Sequence, residues 1–179
     1  MSTHGPTGIT IGFSTTNKWM SGVIRWITRS PVSHAWIGFE DATLGISLVL
    51  QAEAWGVELR PRSRWEKENK AKAVFSSPDS GDRLKVLISE TLGARYDWRS
   101  AGLLGIIGWA KRWVKSRFTL RLSRSPKRLM CAELVTRYLH ALGLAKDLDE
   151  ETSSPLDLLA WSNHHLTAHW RHEDVLKVR

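Results

Sequence analysis

Two β-patterned runs, residues 33–39 and 46–54, are separated by only six residues, Glu40-Asp41-Ala42-Thr43-Leu44-Gly45. A link that short, acidic in its first half and closed by glycine, suits an antiparallel hairpin. Pairing around the middle of the loop sets position 34 opposite 52 or 53. Directly opposed side chains on one face of a sheet stand about 4.5 to 5.5 Å apart at Cβ, so His34 and Glu53 can touch.

The rest of the chain supplies partners for that hairpin. Residues 9–13 and 73–75 read as short strands, and 57–59 can extend the sheet before Pro61. Helical spacing is expected in four places. Residues 18–28 carry Met20, Val23, Ile24 and Ile27, with Ser30-Pro31 as the stop, and residues 82–92 carry Leu84, Leu87, Ile88 and Leu92, with Gly93 as theirs. Residues 101–114 are apolar at Leu103, Leu104, Ile106, Ile107, Ala110 and Trp113. The fourth, residues 131–142, places Leu134, Val135, Tyr138, Leu139 and Leu142 on one face ahead of Gly143. Ser153-Ser154-Pro155 opens a further short helix to about Trp161, with a serine cap and proline early in the first turn. Residues 170–178 could close the sheet.

At 179 residues the chain is about one domain long and can bury a core without disulfides or metals. Hydrophobic residues make up 42% and charged ones 25%, which excludes disorder and a membrane-embedded protein. No repeat is visible, so residues 1–179 are expected to form a single domain of α+β class. The single cysteine rules out an intramolecular disulfide and implies no oxidising compartment. No basic stretch followed by an apolar run opens the sequence, so synthesis in the cytoplasm is expected; a virus-borne or membrane-peripheral protein would look the same. Ten tryptophans against two tyrosines point either to a cleft that is apolar at one end or to core packing.

Charge is uneven. From Lys111 to Arg128 there are eight basic side chains and no acidic one, while residues 147–157 are acidic. The basic segment suits an anionic surface, phosphate or an acidic polymer, and equally suits a solvated face. The apolar stretch before it has the look of a helix lying on an interface, or of one packed on the domain's own core.

Three residues carry potential chemistry. A cysteine at the start of a helix gains thiolate character from the helix N-terminus and from a nearby imidazolium. The imidazole must also protonate a leaving group, and a carboxylate on its other nitrogen fixes ring orientation and tautomer. Cys131, His34 and Glu53 fit these three roles. Each also has a plain structural reading: a small buried hydrophobe, a structural strand histidine and a solvated strand carboxylate. The histidines His164, His165, His169 and His172 come with no cysteine or carboxylate set at a standard metal spacing, so neither metal nor organic cofactor is expected.

The residues resemble a known family. Ser33-His34-Ala35-Trp36-Ile37-Gly38 is similar to the histidine strand of circularly permuted NlpC/P60 proteins, the YiiX-like group of papain-like fold. Gln51-Ala52-Glu53-Ala54-Trp55-Gly56-Val57 resembles that group's next strand, where the third polar residue sits. Leu92-Gly93-Ala94-Arg95-Tyr96-Asp97-Trp98 resembles the stretch ahead of the nucleophile, Met130-Cys131-Ala132-Glu133-Leu134-Val135 the nucleophile helix, and Ser154-Pro155-Leu156-Asp157-Leu158 a segment that follows it. The order histidine, carboxylate, tyrosine, cysteine is that of the permuted members. The resemblance covers about residues 9–160 and departs in the first strand, where Ile11-Gly12-Phe13 stands in place of a Gly-Asp pair, and in the basic insertion at about 100–128.

The resemblance implies a papain-like thiol hydrolase with Cys131 as nucleophile, His34 as general base, Glu53 as its orienting carboxylate, and Tyr96 beside the oxyanion together with the Cys131 backbone N–H. Amides or esters, cell-wall peptides among them, are the expected substrates. Two other readings stand: a lipid-active acyl hydrolase or acyltransferase at an anionic membrane surface, and a non-catalytic basic module that binds nucleic acid with steep salt dependence.

Overall fold

A computed structural model describes residues 6–16, 22, 30–53, 55–96 and 128–175. In chain order the elements are β1 (Pro6–Thr16), β2 (His34–Asp41), β3 (Ile46–Glu53), β4 (Gly56–Pro61), α1 (Arg62–Trp65), β5 (Asn69–Ser76), α2 (Asp82–Thr91), β6 (Arg95–Tyr96), β7 (Arg128–Leu129), α3 (Cys131–Ala141), α4 (Pro155–His165) and β8 (Ala168–Arg171), closed by a 3-10 turn at Glu173–Val175. This is an α+β architecture. A six-stranded antiparallel sheet runs β4-β3-β2-β1-β5-β8, and β6 and β7 form a separate parallel pair.

The expected hairpin is present as β2 and β3. Asp41 closes its loop by accepting from the backbone N–H groups of Thr43 and Leu44 at 2.9 and 3.0 Å. Strand alternation then sorts the side chains. Ile9, Ile11 and Phe13, Ala35, Ile37 and Phe39, Leu48, Leu50 and Ala52, and Ala73 and Phe75 all face the helices, where Leu84, Leu134, Val135, Tyr138, Leu139, Leu158 and Trp161 complete the main core.

The opposite face carries a smaller cluster of Trp36, Val49, Trp65 and Val74. Trp36 is fully buried and lies across β1, its indole seated on Gly12 and Gly38. A Cβ at Gly12 would collide with the ring at Cζ2, and one at Gly38 would stand 2.8 Å from Cζ3. Both glycines are therefore the means by which a tryptophan lies flat on a sheet. Trp65 packs on Trp36 with ring centroids 4.7 Å apart, so β2 is covered on both faces, as its uninterrupted burial from His34 to Phe39 records.

Several expected elements are longer than their apolar patterns. The first strand extends to Pro6–Thr16, the fifth to Asn69–Ser76 and the helix after Ser154 to His165. Ladder hydrogen bonds and capping extend an element past its apolar residues; at α4, Ser154 and Asp157 cap each other reciprocally, the Asp157 N–H reaching Ser154 Oγ at 3.3 Å and the Ser154 N–H reaching Asp157 Oδ2 at 2.8 Å. The closing strand is shorter than expected, Ala168–Arg171, paired with β5. The helices expected at 18–28 (Gly22 apart) and 101–114, and the basic segment from Lys111 up to residue 127, lie outside the described residues. Among the described residues, no helix is long and apolar enough to cross a membrane.

Candidate active site

His34 opens β2 and Cys131 opens α3. The helix packs on the apolar face of the sheet, and its first turn meets the start of β2 so closely that the backbone N–H of Ala35 bonds to the Cys131 sulfur, as does that of Ala132. The His34 ring completes the set with a hydrogen bond to the same sulfur. Both side chains are buried, at 7% and 8% exposure. The structure thus brings together the histidine and cysteine singled out in the sequence, 97 residues apart in the chain.

Burial by itself pushes the thiol pKa up, and the hydrogen bond and charge of His34, with the two backbone N–H groups, more than reverse it; the net direction is down. Burial likewise pushes the imidazolium down, and the hydrogen bond and charge of Cys131, the charge of Glu53 and the Gln51 hydrogen bond outweigh it; the net direction is up. The one contact lowers the thiol and raises the imidazole, so each favours the charged form of the other. The start of α3 makes part of this possible, since the Ala132 N–H is one of the first-turn donors that no carbonyl within the helix takes.

Two residues of β3, Glu53 and Gln51, act on His34. The last paired residues at this end of the hairpin are Ile37 and Leu50, and that register continued would set position 34 level with 53, as anticipated. The hydrogen bond nevertheless goes to the diagonal neighbour: Gln51 Oε1 stands 3.0 Å from His34 Nε2. The charge of Glu53 also raises His34. Diagonal positions across a hairpin lie about 7 to 8 Å apart and remain in reach of a long side chain. Gln51 was legible as the one uncharged polar residue inside the apolar run Leu48-Val49-Leu50-Gln51-Ala52, and it is fully buried.

Gln51 is itself held at both ends of its amide. Its Oε1 also accepts from Trp65 Nε1 at 2.8 Å, and its Nε2 donates to Glu58 Oε1, on the strand partner directly opposite, at 2.9 Å. A carbonyl oxygen only accepts, so His34 Nε2 must carry a proton. Nδ1 is then the nitrogen left to face the thiol.

Tyr96 ends β6, opposite Leu129 of β7, two residues before Cys131. Its backbone is anchored from the sheet: Val57 N–H bonds to Ala94 O at 2.8 Å and Gly93 N–H to Val57 O at 2.9 Å. That approach requires glycine at 56, whose φ is +132° and whose missing Cβ would collide with the Ala94 carbonyl. The Tyr96 side chain lies outside the described residues.

The C-terminal histidines sit elsewhere. His165 bonds to Trp161 O at 2.8 Å, His169 to Ser76 Oγ at 2.9 Å, and His172 to Asp174 Oδ1 at 2.7 Å. Among the described residues no three metal-ligating side chains gather. The chain matches no family model and no curated protein.

Proposed function

We propose that the chain is a thiol hydrolase of the circularly permuted NlpC/P60, papain-like kind, acting on an amide or ester bond through Cys131 and His34. The observation that carries the reading is the buried Cys131–His34 contact, which lowers the thiol and raises the imidazole. Perturbed pairs of this kind concentrate where nucleophiles are activated.

The Cys131 thiolate attacks the substrate carbonyl, and the oxyanion is met by the Cys131 backbone N–H, with Tyr96 as second donor by family resemblance. His34 protonates the departing amine or alcohol and leaves an acyl-enzyme. A water that gives its proton to the now neutral His34 hydrolyses the thioester, returning the thiolate and imidazolium; an amine or alcohol in place of that water makes the reaction an acyl transfer. Gln51 is the orienting residue of His34, and Glu53 supplies a negative charge that favours the imidazolium.

Acylation needs both partners ionised. Its rate rises as pH climbs through the lowered pKa of Cys131 and falls as pH climbs through the raised pKa of His34, giving a bell-shaped profile. The single cysteine makes the first test direct: iodoacetamide alkylation against pH for the wild type and His34→Ala. A wild-type thiolate present well below pH ~7, lost toward about 8.5 in the variant, is the expected result, and amounts to roughly a hundredfold slower alkylation at about pH 6. A thiol that is inert or titrates normally in the folded wild type would overturn the proposal. A substrate panel of peptides, cell-wall fragments and anionic-lipid vesicles then separates peptidase or amidase from lipid acyl activity.

A further inference from the structure

Resting on the hydrolase reading, we propose that Trp65 and Glu58 are positioning residues which act through Gln51 to fix the proton on His34 Nε2. A glutamine amide is nearly symmetric. Electron count and shape scarcely distinguish the two ends of a glutamine side chain, so its orientation is set by what surrounds it. In the observed orientation Oε1 receives two N–H groups, from His34 at 3.0 Å and Trp65 at 2.8 Å, and Nε2 gives to the Glu58 carboxylate at 2.9 Å.

Turning the amide over would set an NH2 group against the Trp65 N–H and an oxygen against the Glu58 carboxylate. Both contacts would become repulsive at a residue that is fully buried. A flipped Gln51 would also present a donor to His34, which favours the opposite tautomer and disfavours imidazolium. Nδ1 would then hold the proton, with no lone pair to accept the thiol's. The two outer residues therefore choose the active protonation state through the Gln51 amide.

The surroundings hold these two in turn. Trp65 ends α1, fully buried against Trp36 at 4.7 Å, and Glu58 pairs with Arg60 at 3.3 Å, which reaches Glu68 at 3.1 Å. The chain of contacts runs from the edge strand β4 to the buried thiol.

The test uses the full chain with Trp65→Phe, Glu58→Gln and the two combined. Phe keeps a ring against Trp36 and removes the N–H together with part of the indole; glutamine at 58 keeps its volume and can face either end of the Gln51 amide. Two readouts are taken: alkylation of Cys131 against pH, and 15N shifts of the His34 ring across its titration. The wild type should keep Nε2 protonated on both sides of the titration. Each single variant should alkylate about fivefold more slowly at roughly pH 6, and the combination more slowly than either, with Nδ1–H tautomer appearing at high pH. Gln51→Glu combined with Glu58→Gln should restore the wild-type tautomer, because a carboxylate at 51 accepts from all three neighbours. Should Trp65→Phe fail to fold, Glu58→Gln on the half-exposed strand edge and the exchanged pair still give the answer.

If the wild-type thiol ionises at low pH and all of these variants keep its profile and its Nε2 proton, this inference is wrong while the hydrolase reading stands. If the wild-type thiol titrates as an ordinary one, it is the hydrolase reading that has failed.

Discussion

Two histidines with hydrogen-bonded partners, His34 on the interior strand β2 and His172 just past the edge strand β8, teach different things. His172 has what looks like the better catalytic geometry, a true carboxylate, Asp174, at 2.7 Å, with Lys72 on that carboxylate's other oxygen at 2.7 Å. His34 has only an amide, at 3.0 Å. Yet His172 and Asp174 are 52% and 41% exposed, and water screens what they exchange, while His34 is nearly dry and faces a thiol. A histidine–carboxylate pair is common on surfaces and by itself selects nothing. What distinguishes His34 is a second ionisable partner in a place where neither can be hydrated.

The contrast breaks if the amide can be removed without consequence. Gln51→Ala would leave the His34 and Trp65 N–H groups without an acceptor in a buried site, at roughly 1 to 3 kcal/mol each in stability. The expected outcome is a loss of about 2 to 4 kcal/mol in denaturant unfolding together with at least tenfold slower alkylation at about pH 6. An unchanged midpoint and profile would mean that His34 supports the thiolate without the amide behind it.

Glu53 sharpens the same contrast from the other side. If its contribution is charge alone, Glu53→Gln should move the alkylation profile upward, since less negative charge near the imidazolium lowers His34 and with it the support for the thiolate. The effect should be about threefold or less, smaller than that of Gln51→Ala, because a half-buried charge is partly screened. A loss larger than that of Gln51→Ala would return the orienting role to the carboxylate.

The order of those two effects marks where the sequence stops being informative. The β2–β3 hairpin was readable because six linking residues allow little else, and α3 because five apolar residues repeat at helical spacing ahead of Gly143. Cys131 and His34 followed from where those elements begin. The third residue did not, since register predicts which Cα atoms oppose but not which side chain bridges a diagonal, and Gln51 passed as one polar position in an apolar strand. The tryptophans were ambiguous for a like reason: Trp36 and Trp65 proved to be the shell behind the site, whereas Trp55, 94% exposed in the β3–β4 turn, is not core at all. Only neighbours distant in sequence, Gly12 under Trp36 and Gln51 under Trp65, separate the two cases.

The smallest expected effect belongs to His172, and it is the control on which the comparison rests. Burial nudges the Asp174 carboxyl up, and Lys72 and His172 more than offset this, holding it below its ordinary value. His172→Ala removes one of those two supports and leaves the 2.7 Å ion pair with Lys72 in place. Exposed pairs of this sort contribute about 0.2 to 1 kcal/mol, so unfolding should shift by no more than that. The Cys131 alkylation profile should overlay that of the wild type. A displaced profile would mean that the closing strand and the thiol communicate through β5 and β1, and burial at His34 could then no longer be the property that sets the two histidines apart.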